Sequence, residues 1–451
     1  MGRRPRQRQR RRRHAWAAAG QGPDRFSHLT EDLLRSILNC LPTRSAARLA
    51  GVSRHFRREV PRLLERVDSL TLHEPHFPDP LRTTPPLLIR RLALAPHRAI
   101  PPSSFRPIIE DAALHGVSEV SFRLTRRARL PKNVFTVKSL VVLALDTCAV
   151  PPWSDVSCPC LRTLRLHRVA IHQENINKIL ASASFLDTLE MVYCTGHGAS
   201  KGCTVESSSV KNLVFRPTLK LEGTVIRASG LRVLTLYTRS RAKSLELAPA
   251  PEIRKVYLHI SKPNSMETSM ESFKVRPFLD AAVKLECLTL RGQAMKVLSY
   301  EYEQNPKLTV MFQDLMILSV SLNLSSEQEL VFLLKLLESC PNLQKFILSA
   351  AETGNGNDLP RFTDHKDRLA SISCLTTSLV QFKFLGFKPQ EYQEELVVYL
   401  LTVAKQLKKV GVEFDKSQLA AVKQILSVRT SPIERISTKY KRNYYMELEY
   451  S

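Results

Sequence analysis

Nine-residue segments of one pattern recur through the middle of this chain. The segment starting at Leu140 has leucine at its first, fourth and sixth positions and cysteine at its ninth. The segment starting at Leu186 has the same residues at these four positions, except for methionine at the sixth. Weaker copies begin at Leu161, Val210, Leu231, Ile253, Leu285, Leu315 and Leu343. Successive copies start 21 to 32 residues apart, and a series this long constrains the fold more than any other feature.

The pattern is the signature of a leucine-rich repeat. Its alternating part predicts a short strand whose apolar side chains all point to one side. One such unit cannot bury its apolar side alone, so neighbouring units stack into a solenoid. We therefore predict an α/β fold for residues 68–350, with a parallel sheet on the concave face and helices or irregular segments outside. Cys148 and Cys194 are then ladder residues of the turns rather than redox or metal-binding groups.

Composition and cysteine usage indicate a folded protein of a reducing compartment. Hydrophobic residues make up 43% of the chain, which is enough for a core. The nine cysteines are odd in number and form no pair of Cys-x-x-Cys knuckles, which disfavours a disulfide framework or a zinc ribbon. No signal peptide is recognisable, and no apolar run approaches the roughly 18 residues of a membrane helix. We expect a soluble protein of the nucleus or cytoplasm, without a membrane partner.

The chain is strongly basic, with a formal net charge of +25. Residues 3–13 contain eight arginines and no acidic residue, and we interpret residues 1–22 as a disordered tail. This tail is either a solvated arm or a nuclear-localisation or nucleic-acid-contacting segment. The charge of the remainder favours acidic partners. For the folded part a nucleic-acid partner is disfavoured, because aromatic residues are only 7% of the chain and most occupy core-like positions.

Residues 23–67 have a helical rather than a repeat pattern. Thr30 is a candidate N-cap, and the acidic residues that follow it favour a helix N-terminus. Pro42 is expected to end that helix, and two further short helices should follow. We expect one apolar face on the first helix, formed by Leu33, Leu34, Ile37, Leu38 and Leu41.

The last part of the chain, residues 351–451, continues an alternation of strands and helices. After an expected loop at 352–361, the pattern predicts a strand at 379–384 and an amphipathic helix at 390–409. A further strand at 409–414 and a helix at 417–427 should follow. We interpret this stretch as one divergent unit that caps the stack.

No motif in the chain indicates catalysis. The glycines at 196–198 lack the spacing of a phosphate-binding loop, and the histidines at 73 and 76 lack the spacing of a helical zinc motif. A His-Glu-x-x-His motif is absent from the sequence. We therefore predict a non-enzymatic binding protein with no catalytic residue, cofactor or metal site.

Two segments resemble modules of one protein family. Residues 29–42 and 52–56 resemble an F-box, with Thr30 at a position where proline is usual and Phe56 at one where tryptophan is frequent. Residues 374–387 and 394–409 resemble the FBD domain of plant F-box proteins. With the repeats between them, the chain resembles plant F-box/LRR/FBD proteins over nearly its whole length after residue 23.

This resemblance implies a substrate-recognition subunit of an SCF-type ubiquitin ligase. Its F-box would dock on a Skp-type adaptor and, through it, on cullin, while the repeats hold a target protein. The residues implied in adaptor contact or its support are Leu29, Leu33, Ile37, Leu41, Pro42 and Phe56. Leu33 and Ile37 could equally belong to the core of the module itself. The alternative is a basic repeat protein that binds nucleic acid or an acidic protein without any ligase.

Overall fold

The chain divides into two compact units, Met1–Ala149 and Val150–Ser451. The computed structural model describes residues 29–39, 41, 49, 52, 56–59, 69–72, 90–95, 105–114, 116–130, 132–152, 156–196, 202–216, 223–238, 244–261, 273–306, 310–350, 365–388, 390–414, 416–418, 420, 422, 424 and 435–440. The basic tail, the second predicted short helix and the predicted loop 352–361 lie essentially outside these residues. No helix in the described part is long and apolar enough to cross a membrane.

The first unit contains a helical segment followed by parallel strands. Its elements are α1 (Glu31–Asn39), β1 (Ser69–Leu72), β2 (Arg91–Leu94), α2 (Phe105–Leu114), β3 (Glu119–Arg129), a 3₁₀ turn (Lys132–Thr136) and β4 (Val142–Ala149). The strands lie in the order β1-β2-β3-β4, all parallel, with Leu92 opposite Val120 and Val120 opposite Leu143. The stack therefore begins three strands before the first segment that the sequence pattern identified.

The second unit continues the repeats. Its elements are β5 (Thr163–His167), α3 (Gln173–Ser182), β6 (Thr188–Val192), β7 (Cys203–Glu206), β8 (Asn212–Arg216), β9 (Gly223–Arg227), β10 (Val233–Thr238), β11 (Ser244–Leu247), β12 (Lys255–Ile260), β13 (Phe273–Lys274), α4 (Arg276–Asp280), β14 (Cys287–Gly292), α5 (Ala294–Gln304), β15 (Ile317–Leu322), α6 (Glu327–Glu338), β16 (Lys345–Ala350), α7 (Lys366–Ser371), α8 (Ser373–Thr377), β17 (Gln381–Phe387), α9 (Glu391–Val403), β18 (Lys409–Phe414), a 3₁₀ turn (Lys416–Gln418) and β19 (Arg435–Tyr440).

The repeat strands of this unit form one parallel sheet, the main sheet. Its order is β5-β6-β8-β10-β12-β14-β15-β16-β17-β18-β19. The leucines of the repeat pattern align across it: Leu234 lies opposite Val256, and Val256 opposite Leu288. These side chains are buried, because strand residues alternate between the two faces and the pattern places every second one in the core. The predicted parallel sheet is confirmed.

A second parallel sheet, in the order β13-β11-β9-β7, was not predicted. Its strands connect successive strands of the main sheet between β6 and β14, whereas helices α5 and α6 make the following connections. This change explains the uneven spacing of the repeats. An extended connector covers about 3.3 Å per residue and a helix about 1.5 Å, so helical connections need more residues. Copies starting between 186 and 253 are 21 to 24 residues apart, and those starting between 285 and 343 are 28 to 30 apart. The connection from the copy at 253 to the copy at 285 spans 32 residues and contains helix α4 as well as β13.

The turn that follows β6 shows why Cys194 is buried. Tyr193, just before it, has a positive φ of 56°, and this sharp turn directs the next residue back toward the core. The Cys194 thiol then donates to the carbonyl oxygen of Leu166 at 3.2 Å. In the first unit, Thr147 has a φ of 58° and precedes the fully buried Cys148. Both cysteines therefore occupy the ladder positions that the repeat pattern predicts.

Both strands predicted after the loop are present, but the long helix is shorter than predicted. Strand β17 extends to Phe387, three residues beyond its predicted end, and β18 has the predicted bounds. The helix expected at 390–409 ends at Val403, so its predicted C-terminus was wrong. The Ala404 N–H still bonds Leu400 O, but the chain then turns so that Lys409 can begin β18. The helix expected at 417–427 lies largely outside the described residues.

Candidate functional site

Helix α1 is the element on which the implied adaptor contacts lie. Its N-terminus is capped by Thr30, whose hydroxyl accepts from the Leu33 N–H at 3.5 Å and whose carbonyl accepts from the Leu34 N–H at 3.0 Å. Glu31 and Asp32 occupy the first turn, and Arg35 pairs with Glu31 at 2.8 Å. Threonine therefore fulfils the capping role at the position where the family usually has proline.

One side of α1 forms the core of this segment. Leu34 and Leu38 are 2% and 1% exposed and form a cluster with Phe56, which is 3% exposed. Leu29, Leu41 and Leu49 are partly buried against the same cluster. Phe56 thus acts from inside the segment, and any effect it has on a partner must pass through the packing of α1.

A different side of α1 presents large apolar side chains to solvent. Leu33 and Ile37 are 54% and 39% exposed, and their i, i+4 spacing makes them neighbours on the helix surface. The single apolar face expected from the sequence is therefore wrong: it is split into an inner pair, Leu34 and Leu38, and an outer pair, Leu33 and Ile37. Val52 is 55% exposed as well, and it is not among the contact residues expected from the sequence. Pro42 lies outside the described residues.

The buried cysteines offer little reactive thiolate. Burial raises the pKa of Cys158, Cys194, Cys203 and Cys374 to about 12, so these thiols stay protonated at neutral pH. Among the described residues, no group of three or more His, Cys, Asp or Glu side chains is placed to hold a metal ion. The histidines at 73 and 76 lie outside those residues. In the segment that contains α1, the exposed apolar surface of the capped helix is therefore the feature best suited to binding a partner.

Comparisons with known proteins match the segment that contains α1 and the repeats. Residues 26–63 match the F-box domain. Residues 106–348, more than half of the chain, match the LRR repeats of FBD-associated F-box protein At5g56370. Similar proteins from Arabidopsis thaliana include FBD-associated F-box protein At4g10400, 24% identical over 90% of this chain and 97% of that protein. F-box/FBD/LRR-repeat protein At5g22660 is 25% identical over 72% of this chain and 77% of that protein.

These matches agree with the geometry described above. Proteins that combine an F-box with leucine-rich repeats are generally non-catalytic adaptors, and the matched domains indicate a substrate-recognition role. The resemblance derived from residues 29–56 and from the repeats is confirmed by both domain matches. The chain belongs to the family of FBD-associated F-box proteins with leucine-rich repeats.

Proposed function

We propose that this chain is the substrate-recognition subunit of an SCF-type ubiquitin ligase. In this proposal the outer face of α1 docks on a Skp-type adaptor, which links the chain to cullin, and the repeats hold a target protein. Leu33 and Ile37 contact the adaptor, together with Leu41 and Pro42, which follow the helix in the sequence. Leu29 and Phe56 support this surface by packing beneath it.

The exposure of Leu33 and Ile37 is the observation that carries the proposal. Both are large apolar side chains on a helix whose core is already supplied by Leu34, Leu38 and Phe56. Burying one leucine or isoleucine side chain stabilises a contact by about 1.5–3 kcal/mol. A pair of them side by side is a small hydrophobic anchor of the kind on which interfaces depend.

Co-purification with a recombinant plant Skp-type adaptor tests the proposal. Wild-type chain should retain the adaptor, and the double variant Leu33→Asp/Ile37→Asp should lose at least about 100-fold in affinity, because two buried contacts vanish and two carboxylates are desolvated. Val283→Asp is the matched control: Val283 is also about half exposed, at 51%, but lies in the repeats. This control should bind like wild type.

The experiment also separates docking from folding. The double variant should keep the far-ultraviolet circular dichroism and melting temperature of wild type, since neither side chain belongs to the core. Failure of the wild-type chain to retain any adaptor would sink the proposal, and so would full retention by the double variant. Retention of RNA or DNA that falls steeply with salt and survives deletion of residues 1–22 would favour the alternative of a basic nucleic-acid-binding protein.

A further inference from the structure

A cluster of cationic and aromatic side chains lies on the open face of the main sheet, the face opposite the buried leucines. Strands β8, β10, β12 and β14 are neighbours there. Tyr237 lies opposite His259, and His259 opposite Arg291. Arg216 extends this row on β8, because the register pairs Phe215 with Leu236. With Tyr257, two residues before His259 on the same face, these five half-buried residues form what we call the arginine–tyrosine patch.

The patch is held in place by contacts between its own members. The Arg216 guanidinium lies 3.9 Å from the centroid of the Tyr237 ring and donates to the Tyr237 hydroxyl at 2.9 Å. The Tyr237 ring is 5.1 Å from that of Tyr257 and 5.6 Å from that of His259. Arg291 donates to the Ser319 hydroxyl at 3.2 Å. The two guanidinium groups are therefore positioned before any partner arrives.

The positive charge of the patch is not neutralised locally. Within the described residues, neither Arg216 nor Arg291 has a carboxylate within the 4.0 Å of an ion pair, whereas Arg165 and Arg254 each have one. The Nε atoms of both patch arginines are buried without a hydrogen-bond partner. Burial lowers the pKa of Arg291, against the opposing effects of Tyr257 and, from beyond ion-pair distance, of Glu413.

His259 adds no compensating or additional charge at neutral pH. Burial lowers the pKa of His259, and the charges of Arg291 and Arg216 lower it further. Its buried Nδ1 also lacks a hydrogen-bond partner. The patch therefore presents two fixed positive charges with neutral aromatic and imidazole groups between them, which is the complement of two negative charges separated by an apolar group.

We propose that Arg216 and Arg291 bind two carboxylates of an extended acidic segment of a partner protein. The arginines lie on strands separated by three inter-strand spacings, so their backbones are about 14 Å apart at roughly 4.8 Å per spacing. Residues i and i+4 of an extended chain are about 13 Å apart, and residues i, i+2 and i+4 lie on one face. A segment of the form Glu-x-Leu-x-Glu matches this spacing, with its leucine over the tyrosines.

The contacts of Tyr237 favour an acidic polypeptide over a single-stranded nucleic acid. Recognition of unpaired bases depends on open aromatic faces on which the bases stack. Here the Arg216 guanidinium already covers one face of the Tyr237 ring, and the Tyr257 and His259 rings stand close beside it. Carboxylates need only the guanidinium groups, which bind them through two parallel hydrogen bonds.

This inference rests on the proposed function only in identifying the partner as the target, and it can be tested without the adaptor. The probe is a fluorescein-labelled peptide, Gly-Ser-Glu-Ser-Leu-Ser-Glu-Ser-Gly, added to the purified full chain, with binding followed by fluorescence anisotropy. Two control peptides replace both glutamates by glutamine or place them next to each other. A single-stranded oligonucleotide is the competing ligand.

We expect the peptide to bind saturably to the wild-type chain. Its affinity should fall at least tenfold with Arg291→Gln or Arg216→Gln, and it should also fall at high salt. Arg227→Gln, which alters an exposed arginine of the second sheet, should leave binding unchanged. Both control peptides should bind at least tenfold more weakly to the wild-type chain, an outcome that no folding defect can imitate. Absence of saturable binding, equal binding of the glutamine peptide, or oligonucleotide binding that displaces the peptide and depends on Arg291 would overturn the proposal. Adaptor retention is measured separately, so either idea can fail alone.

Discussion

Gly292, at the end of β14, allows a test of how tightly the repeats are stacked. Its φ is 64°, a left-handed conformation that costs a non-glycine residue about 1–2 kcal/mol. A Cβ at this position would also fall well inside 3.0 Å of the carbonyl oxygen of Ile260 on the neighbouring strand. That oxygen accepts from the Gln293 N–H at 2.6 Å, so the strands cannot separate without disturbing this bond. Gly292→Ala therefore combines backbone strain with a steric clash.

Gly386, at the corresponding bend of β17, isolates the first of these effects. Its φ is 68°, but the nearest atom to an added Cβ is the carbonyl oxygen of Ala350 at 3.7 Å, an ordinary contact. Gly386→Ala should therefore lower the free energy of unfolding by about 1 kcal/mol, since alanine also restricts the unfolded chain. Gly292→Ala adds a disturbed hydrogen bond of about 1–3 kcal/mol, for a total of about 2–4 kcal/mol.

Urea unfolding followed by circular dichroism measures the difference. Both variants should keep the slope of wild type, and the midpoints then give the change in the free energy of unfolding. Equal losses in the free energy of unfolding for the two variants would show that the strands at Ile260 accommodate the added methyl group without cost. A stabilised Gly292→Ala variant would refute the reasoning altogether.

Two further predictions follow from buried and charged groups. Iodoacetamide should label exposed Cys160 long before Cys194 and Cys203, because burial raises the pKa of these two thiols to about 12. Peptide mass mapping measures the labelling rates, and equal rates in the native chain would contradict this packing. The hydrogen bond with His167 lowers the pKa of Glu190, and Arg165 lowers it further against the opposing effect of burial. The resulting stabilisation is present at pH values above the ordinary pKa of 4.5, and it is lost as the pH falls through the lowered pKa of Glu190. The melting temperature of Glu190→Gln should therefore fall less on acidification than that of wild type.

The fold could be predicted where the repeat pattern is regular. Strands β4, β5 and β6 follow from leucines at fixed positions, because one strand face must be apolar to be buried. The connectors could not be predicted in the same way. A four-residue strand such as β11, Ser244–Leu247, has too little alternation to distinguish it from an irregular segment. It is stabilised by pairing with β9 and β13, which are neighbours in space and not in the local pattern.

The arginine–tyrosine patch shows a similar limit. Arg216, Tyr237 and Arg291 come from repeats that are far apart in the sequence, and each is an unremarkable polar position within its own strand. Only the strand register brings them into one row, and only the absence of a nearby carboxylate among the described residues distinguishes their charges from those of Arg165 or Arg254.

The F-box segment shows what a helical pattern leaves undecided. Leu33, Leu34, Ile37 and Leu38 share a spacing that fits one broad apolar face, and neighbouring residues differ in direction by about 100°. Which pair is buried depends on where Phe56 packs, and Phe56 selects Leu34 and Leu38. Phe56 is itself buried, and this burial determines what the departure from tryptophan can affect. A smaller aromatic residue inside the cluster changes how α1 is packed and leaves unchanged the surface that α1 offers to the adaptor. Any reduction in adaptor affinity would therefore arise from a change in the position of α1. Phe56→Trp should then shift the melting temperature, while Leu33→Asp should not.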